Sequence, residues 1–222
     1  MSYLVLSTDK VPQLDAGWNS PTWQAARTMK LENVRPESSD HHPDTALKLL
    51  YDRENLYGLF RVKDKYVRCV QNGYHDSVCR DSCVEFFVQP KSDEGYFNFE
   101  FNCGGNLHVS YIVDPTRTPA GFRKSTPLPK EDVALVPRYH SLPETIAVEI
   151  SADTEWFLGF SLPYPLFEKY VGILGEIRGQ QWRANAYKCA DKTSHPHWLS
   201  WQPVHKLNFH LPECFGTIEF QN

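Results

Sequence analysis

The segment Cys83-Val84-Glu85-Phe86-Phe87-Val88 puts Val84, Phe86 and Val88 on one face and leaves Glu85 on the other, between Cys83 and Phe87. Such period-two alternation marks a β-strand with one face in a core. Two other segments repeat the pattern. In Tyr96–Asn102, Phe97, Phe99 and Phe101 stand opposite Tyr96, Asn98, Glu100 and Asn102. Further on, Trp182, Ala184 and Ala186 alternate with Arg183, Asn185 and Tyr187. The polar half of these strands is not the Lys, Glu and Thr mixture of a plain solvated face. It consists of Glu, Asn, Arg and Tyr, groups that make planar or paired hydrogen bonds. If the strands are neighbours, Glu85, Asn98, Glu100, Asn102, Arg183 and Asn185 converge on one surface. The plainer alternative is a solvated sheet face with cross-strand ion pairs such as Arg183 with Glu100.

Outward from these strands, sixteen prolines and twelve glycines cut the 222 residues into many short apolar or alternating runs. That punctuation predicts strands at Leu47–Tyr51, Leu56–Val62, Leu107–Val113, Thr145–Ser151, Trp156–Leu162, Trp198–Trp201 and Thr217–Phe220. Weaker signals lie at Tyr3–Leu6 and Val133–Val136. Helical periodicity is poor, with one or two turns predicted at Trp23–Met29 and at Pro163–Tyr170. About ten strands in one chain predict an all-β, two-sheet sandwich of jelly-roll type with one or two short helices. The length suits one domain spanning residues 1–222. Asp114–Glu131, with Pro115, Pro119, Pro127 and Pro129, is predicted as a long loop over one face.

Composition excludes several function classes. A net charge of −4 gives no basic footprint, so neither nucleic acid nor an anionic membrane surface is an expected partner. The start, Met1 to Lys10, lacks the basic and apolar regions of a signal peptide, and a cytoplasmic location is the expectation, or export if a leader has been trimmed. Six cysteines without framework spacing read as free thiols.

The same segments resemble carbohydrate-binding module family 9 and its DOMON-like relatives. Arg80-Asp81-Ser82-Cys83-Val84-Glu85-Phe86-Phe87 is similar to the family's "D-S-V-E-hydrophobic-F" strand. Trp182 to Tyr187, then Leu199-Ser200-Trp201, then Pro212-Glu213-Cys214-Phe215-Gly216-Thr217-Ile218-Glu219-Phe220, follow its closing order. Leu50-Tyr51-Asp52 with Leu56 to Val62 looks like its early hairpin, and the resemblance runs from about Trp23 to Phe220. It implies a DOMON-like β-sandwich and non-catalytic sugar binding in carbohydrate catabolism, beside carbohydrate-active enzymes. It implies no cofactor beyond a structural calcium in some members. Carried over by position, the family's key acid falls on Glu85, its amide on Asn185 and one stacking aromatic near Phe209. Its partner stacking tryptophan falls on Cys79, and its arginine on Glu100.

The ligand-binding set expected from residues and resemblance together is Glu85, Glu100, Asn102, Arg183, Asn185, Tyr187 and Phe209. Sugars suit such a set, because their C–H faces pack on aromatic rings and their hydroxyl pairs meet planar polar groups. Tyr74, His75 or the proline-rich segment could replace the missing aromatic, and Trp198 is the tryptophan expected to be exposed. A divergent glycoside hydrolase would use Glu85 and Glu100 as paired carboxylates. A protein-interaction sandwich that has lost the sugar site is a third reading. A zinc site would draw on Cys79, Cys83, His75, His195 and His197, but no second cysteine pair follows, and buried structural thiols explain the cysteines more simply. Asp76, Asp81, Asp114 and Asp191 are loop acids open to calcium, without a contiguous ligand loop.

Overall fold

Alternating runs become strands wherever they were expected from residue 44 onward, with small shifts at the ends, and Val133–Val136 is the exception. The computed structural model describes residues 2–221. One sheet runs, in spatial order, through Gly121–Pro127, Ser110–Thr118, Tyr96–Asn102, Cys83–Gln89, Gln181–Cys189, Gly216–Phe220 and Ser2–Ser7. The other runs through Ser2–Ser7, Asp44–Tyr51, Asn55–Asp64, Thr154–Pro163 and Arg138–His140. Ser2–Ser7 belongs to both. Its residues Ser2–Val5 lie parallel to Thr217–Phe220 of the first sheet, and Leu6 and Ser7 lie parallel to Leu50 and Tyr51 of the second.

The two inner faces form the main core. Val84, Phe86, Val88, Phe97, Phe99, Phe101, Trp182, Ala184 and Ala186 face Leu47, Leu49, Phe60, Val62, Trp156, Leu158 and Phe160. Phe160 interlocks the layers, stacked on Phe86 and on Phe101 with centroids 5.8 and 5.3 Å apart. Its ring lies over Gly58, its cross-strand partner, where any Cβ would overlap it. This close approach requires glycine in mid-strand.

Lys188 continues the inward row of Trp182, Ala184 and Ala186, an arrangement the alternation did not advertise. It is fully buried, and its Nζ lies 3.3 Å from Asp64 Oδ2 on the opposite sheet. Trp156 Nε1 donates to the same carboxylate and His41 Nε2 lies 2.8 Å from its other oxygen. Burial alone would raise the Asp64 pKa, but the Lys188 ammonium and these partners hold it well below the usual carboxylate range.

Three short α-helices are present, Pro21–Ala25, Lys130–Val133 and Tyr164–Val171. The Asp114–Glu131 segment is not a loop. Its first part forms a hairpin of Ser110–Thr118 with Gly121–Pro127 at the sheet edge, followed by the Lys130–Val133 helix, which also replaces the weak strand signal at Val133–Val136. Prolines are tolerated because the ribbon is an edge, with register shifts between Ile112 and Asp114 and between Asp114 and Arg117. No described helix is long and apolar enough to cross a membrane.

Candidate functional site

The outer face of the first sheet is not open to solvent. Residues 202–215 fold back over it, and Val204, Phe209, Leu211 and Phe215 pack on Phe87, Tyr96, Tyr187 and Cys189 as a second, smaller core. Between this flap and the sheet lies a cavity of about 260 Å³. Its floor is Glu85 and Glu100, and its walls include Phe209, His210, Trp198, Asp191, Cys79, Cys189 and Arg117.

The floor follows from strand register. Glu85 pairs directly with Glu100 on one side and with Tyr187 on the other, and Glu100 pairs with His108. Both acids are nearly buried, at 3% and 7% exposure. Each has one oxygen engaged: Cys189 Sγ donates to Glu85 Oε1 at 3.2 Å, and Asn98 Nδ2 donates to Glu100 Oε1 at 2.7 Å. Burial raises both pKa values, and the neighbouring Glu100 pushes that of Glu85 up further. Burial also raises Asp191, which accepts from Trp198 Nε1 at 2.8 Å. Desolvation lowers His210 to about 3, so its ring is neutral where it meets the Tyr96 hydroxyl. Two adjacent carboxyls whose protonated forms are favoured by burial can both donate to and accept from hydroxyl groups, the requirement a polyol imposes.

Of the residues expected at the site, Glu85, Glu100 and Phe209 come together here. The other four do not line the cavity. Arg183 donates to the Phe215 carbonyl at 2.9 Å and forms no ion pair with Glu100, since its cross-strand neighbour is Gln89. Asn185 sits diagonally from Glu85, opposite Phe87, and is spent on backbone: Nδ2 donates to the Gln202 carbonyl at 3.1 Å, and Oδ1 accepts from the Gln202 and Ala186 N–H groups. The Tyr187 hydroxyl donates to the Phe209 carbonyl at 3.1 Å, and its ring stacks on Phe209 with centroids 4.1 Å apart. Arg183, Asn185 and Tyr187, on one strand, thus fasten the flap that carries Phe209 and His210. Asn102 donates to the Gln71 carbonyl and to Asp81, and accepts from the Asn106 N–H.

Sequence reasoning does not place Cys189, Asp191 or His210 at this site: Asp191 reads only as a loop acid, and His210 lies in a segment apart from Cys189 and Asp191. Trp198, expected to be exposed, is instead half-buried in the cavity wall and packed on the smaller core. Tyr74 and His75 instead bond the Leu128 carbonyl. Arg117, from the proline-rich hairpin, reaches the cavity and stacks on Phe122 at 4.0 Å. A larger cleft of about 900 Å³ lies between Ser7–Val11, Tyr51–Glu54 and Gly175–Arg178. Half of its lining residues are charged, Tyr51 is its one aromatic, and it lacks the buried polar pair.

A family model described as Carbohydrate-binding family 9 matches residues 22–220, nearly the whole chain. The chain belongs to carbohydrate-binding family 9. Solved structures agree with the fold of that family. A candidate carbohydrate-binding protein from Bacteroides uniformis ATCC 8492 superposes with a TM-score of 0.86 and 28% identity, covering 99% of each chain. A family 9 module from Caldicellulosiruptor kristjanssonii in complex with glucose gives a TM-score of 0.65 at 12% identity, covering 100% of this chain and 96% of that one. The same organism's module in complex with cellotriose gives 0.62 at 12% identity, covering 100% and 94%. No curated protein sequence matches at a significant level. Within this family 9 chain, Glu85, Phe209 and Cys79 line a single cavity.

Proposed function

We propose that this family 9 chain binds carbohydrate without chemistry, taking a sugar ring into the cavity between the first sheet and the 202–215 flap. One observation carries the reading. Glu85 and Phe209, distant in sequence, meet at a buried acid pair beside an aromatic wall. A cavity of about 260 Å³ lies just below the roughly 300 Å³ at which drug-sized pockets begin, so it suits one ring or a chain terminus rather than a run of sugars. Phe209 and Trp198 supply apolar faces for C–H groups, and Glu85, Glu100 and Asp191 meet the hydroxyls. The crystallised relatives that hold glucose and cellotriose support a glucose-type ligand class.

A glycan array followed by calorimetry with the best ligand tests this. Leaving one partner of a buried hydrogen bond unsatisfied costs roughly 1–3 kcal/mol, so Glu85→Gln should weaken binding by about tenfold. Equal affinity in wild type and Glu85→Gln would remove the cavity from the binding function. Turnover of chromogenic glycosides, lost in Glu85→Gln, would show a hydrolase instead.

A further inference from the structure

Beneath the sugar cavity the register gathers a second set of groups. Cys83 and Cys189 are directly opposed across neighbouring strands, and Glu85 lies two residues from Cys83 on the same face. One ligand atom from each of the three lies within 4.8 Å of the others, and all three residues are buried. Cys79, on the short 3-10 turn ahead of this strand, brings a further thiol to the cavity wall. The zinc set considered from sequence needed histidines from other loops; the fold supplies Cys189 in their place. We propose that Cys83, Cys189 and Glu85 bind a divalent cation of the zinc class, with its fourth coordination position open to the cavity beside Cys79.

Bond lengths of about 2.3 Å to sulfur and 2.0–2.2 Å to oxygen put tetrahedral ligand atoms about 3.5–3.8 Å apart. The Cys189 sulfur and Glu85 Oε1 are 3.2 Å apart, so this pair needs to part by only a few tenths of an ångström, and the third ligand atom, from Cys83, lies within 4.8 Å of both. Two of the ligands stand on adjacent sheet strands, so the backbone need not move. Charge favours the ion as well. Glu85, Glu100 and Asp191 share this region. A divalent ion replaces the two thiol protons, and the one Glu85 holds where it is protonated, and these pass to solvent. The site shares Glu85 and Cys189 with the cavity lining, and it is tested without any sugar.

The experiment titrates fully reduced protein with Co²⁺, then displaces it with Zn²⁺. One Co²⁺ per chain is expected, with thiolate-to-cobalt charge-transfer absorption in the near ultraviolet. Loss of the two thiol protons alone should raise apparent affinity by up to about 100-fold per pH unit. Cys83→Ser and Cys189→Ser should abolish the absorption, whereas Cys214→Ser, in the exposed His205, Glu213 and Cys214 group, should retain it. Absence of the charge-transfer band in wild type, or a band that survives in Cys189→Ser and disappears in Cys214→Ser, overturns the proposal. Should the serine variants fail to fold, alkylation of native wild type read by mass spectrometry decides the matter. Zn²⁺ should slow labelling of Cys189 at least tenfold and leave Cys214 unchanged, and equal rates with and without Zn²⁺ overturn the proposal.

Discussion

Glu85 shows how a single residue can be good for a site and costly for a fold. Its carboxyl is buried against Glu100, so its pKa is raised above the unfolded value of 4.5. A raised acid contributes most to stability below the unfolded pKa and loses that contribution as pH climbs through the folded one. Glu85→Gln removes this liability and keeps the shape. Its melting temperature relative to wild type should therefore rise as pH climbs above 4.5, while its sugar affinity falls; a difference that is flat with pH would mean that Glu85 is not strained by burial. The position of Glu85 was legible in the sequence, because alternation and family motif agreed on it. The identity of its partners was not. Cys189 donates to it from a strand almost at the other end of the chain, and no local pattern encodes that contact.

At the scale of the element, the Gln181–Cys189 strand does two jobs with its two faces. Inward, Trp182, Ala184 and Ala186 fill the core; outward, Arg183, Asn185 and Tyr187 clip the 202–215 flap in place. Sequence showed that the outward groups were hydrogen-bonding specialists but not that backbone, rather than ligand, would use them. An amide that both donates to and accepts from one residue's backbone imitates a missing strand. Asn185→Ala leaves the buried Gln202 N–H and carbonyl short of partners, which costs roughly 1–3 kcal/mol. Amide exchange should accelerate across residues 202–215 while the Cys83–Gln89 strand keeps its protection, and sugar binding should weaken because Phe209 and His210 move with the flap. Uniform acceleration through the sheet would show that Asn185 serves the whole fold rather than this segment. The hairpin at Ser110–Thr118 was concealed for another reason: its prolines suggest a loop, and only edge position and bulges make them compatible with pairing.

Across the described residues, the sheets are joined by the strand they share, by packing and by a buried charge pair, Asp64 with Lys188. Removing one member leaves an uncompensated buried charge, so Asp64→Asn should cost roughly 3–5 kcal/mol in urea denaturation, and Asp64→Leu with Lys188→Met should recover most of that loss. A double variant no better than the single would show that the His41 and Trp156 contacts, rather than the ion pair, carry the effect. The sandwich class was readable from strand count and alternation, since both are properties of short segments. What joins the sheets was not, because Lys188 sits at a core-facing position where the pattern calls for an apolar residue. The strand shared by both sheets has a consequence in time as well as space. Ser2 meets Thr217 and Val5 meets Phe220, so this stretch of strand waits for one made far later before its ladder can form. During translation the half-made protein carries bare strand edges, which invite pairing with other nascent chains. Closure of so distant a contact is slow, and it lengthens the time those edges stay bare.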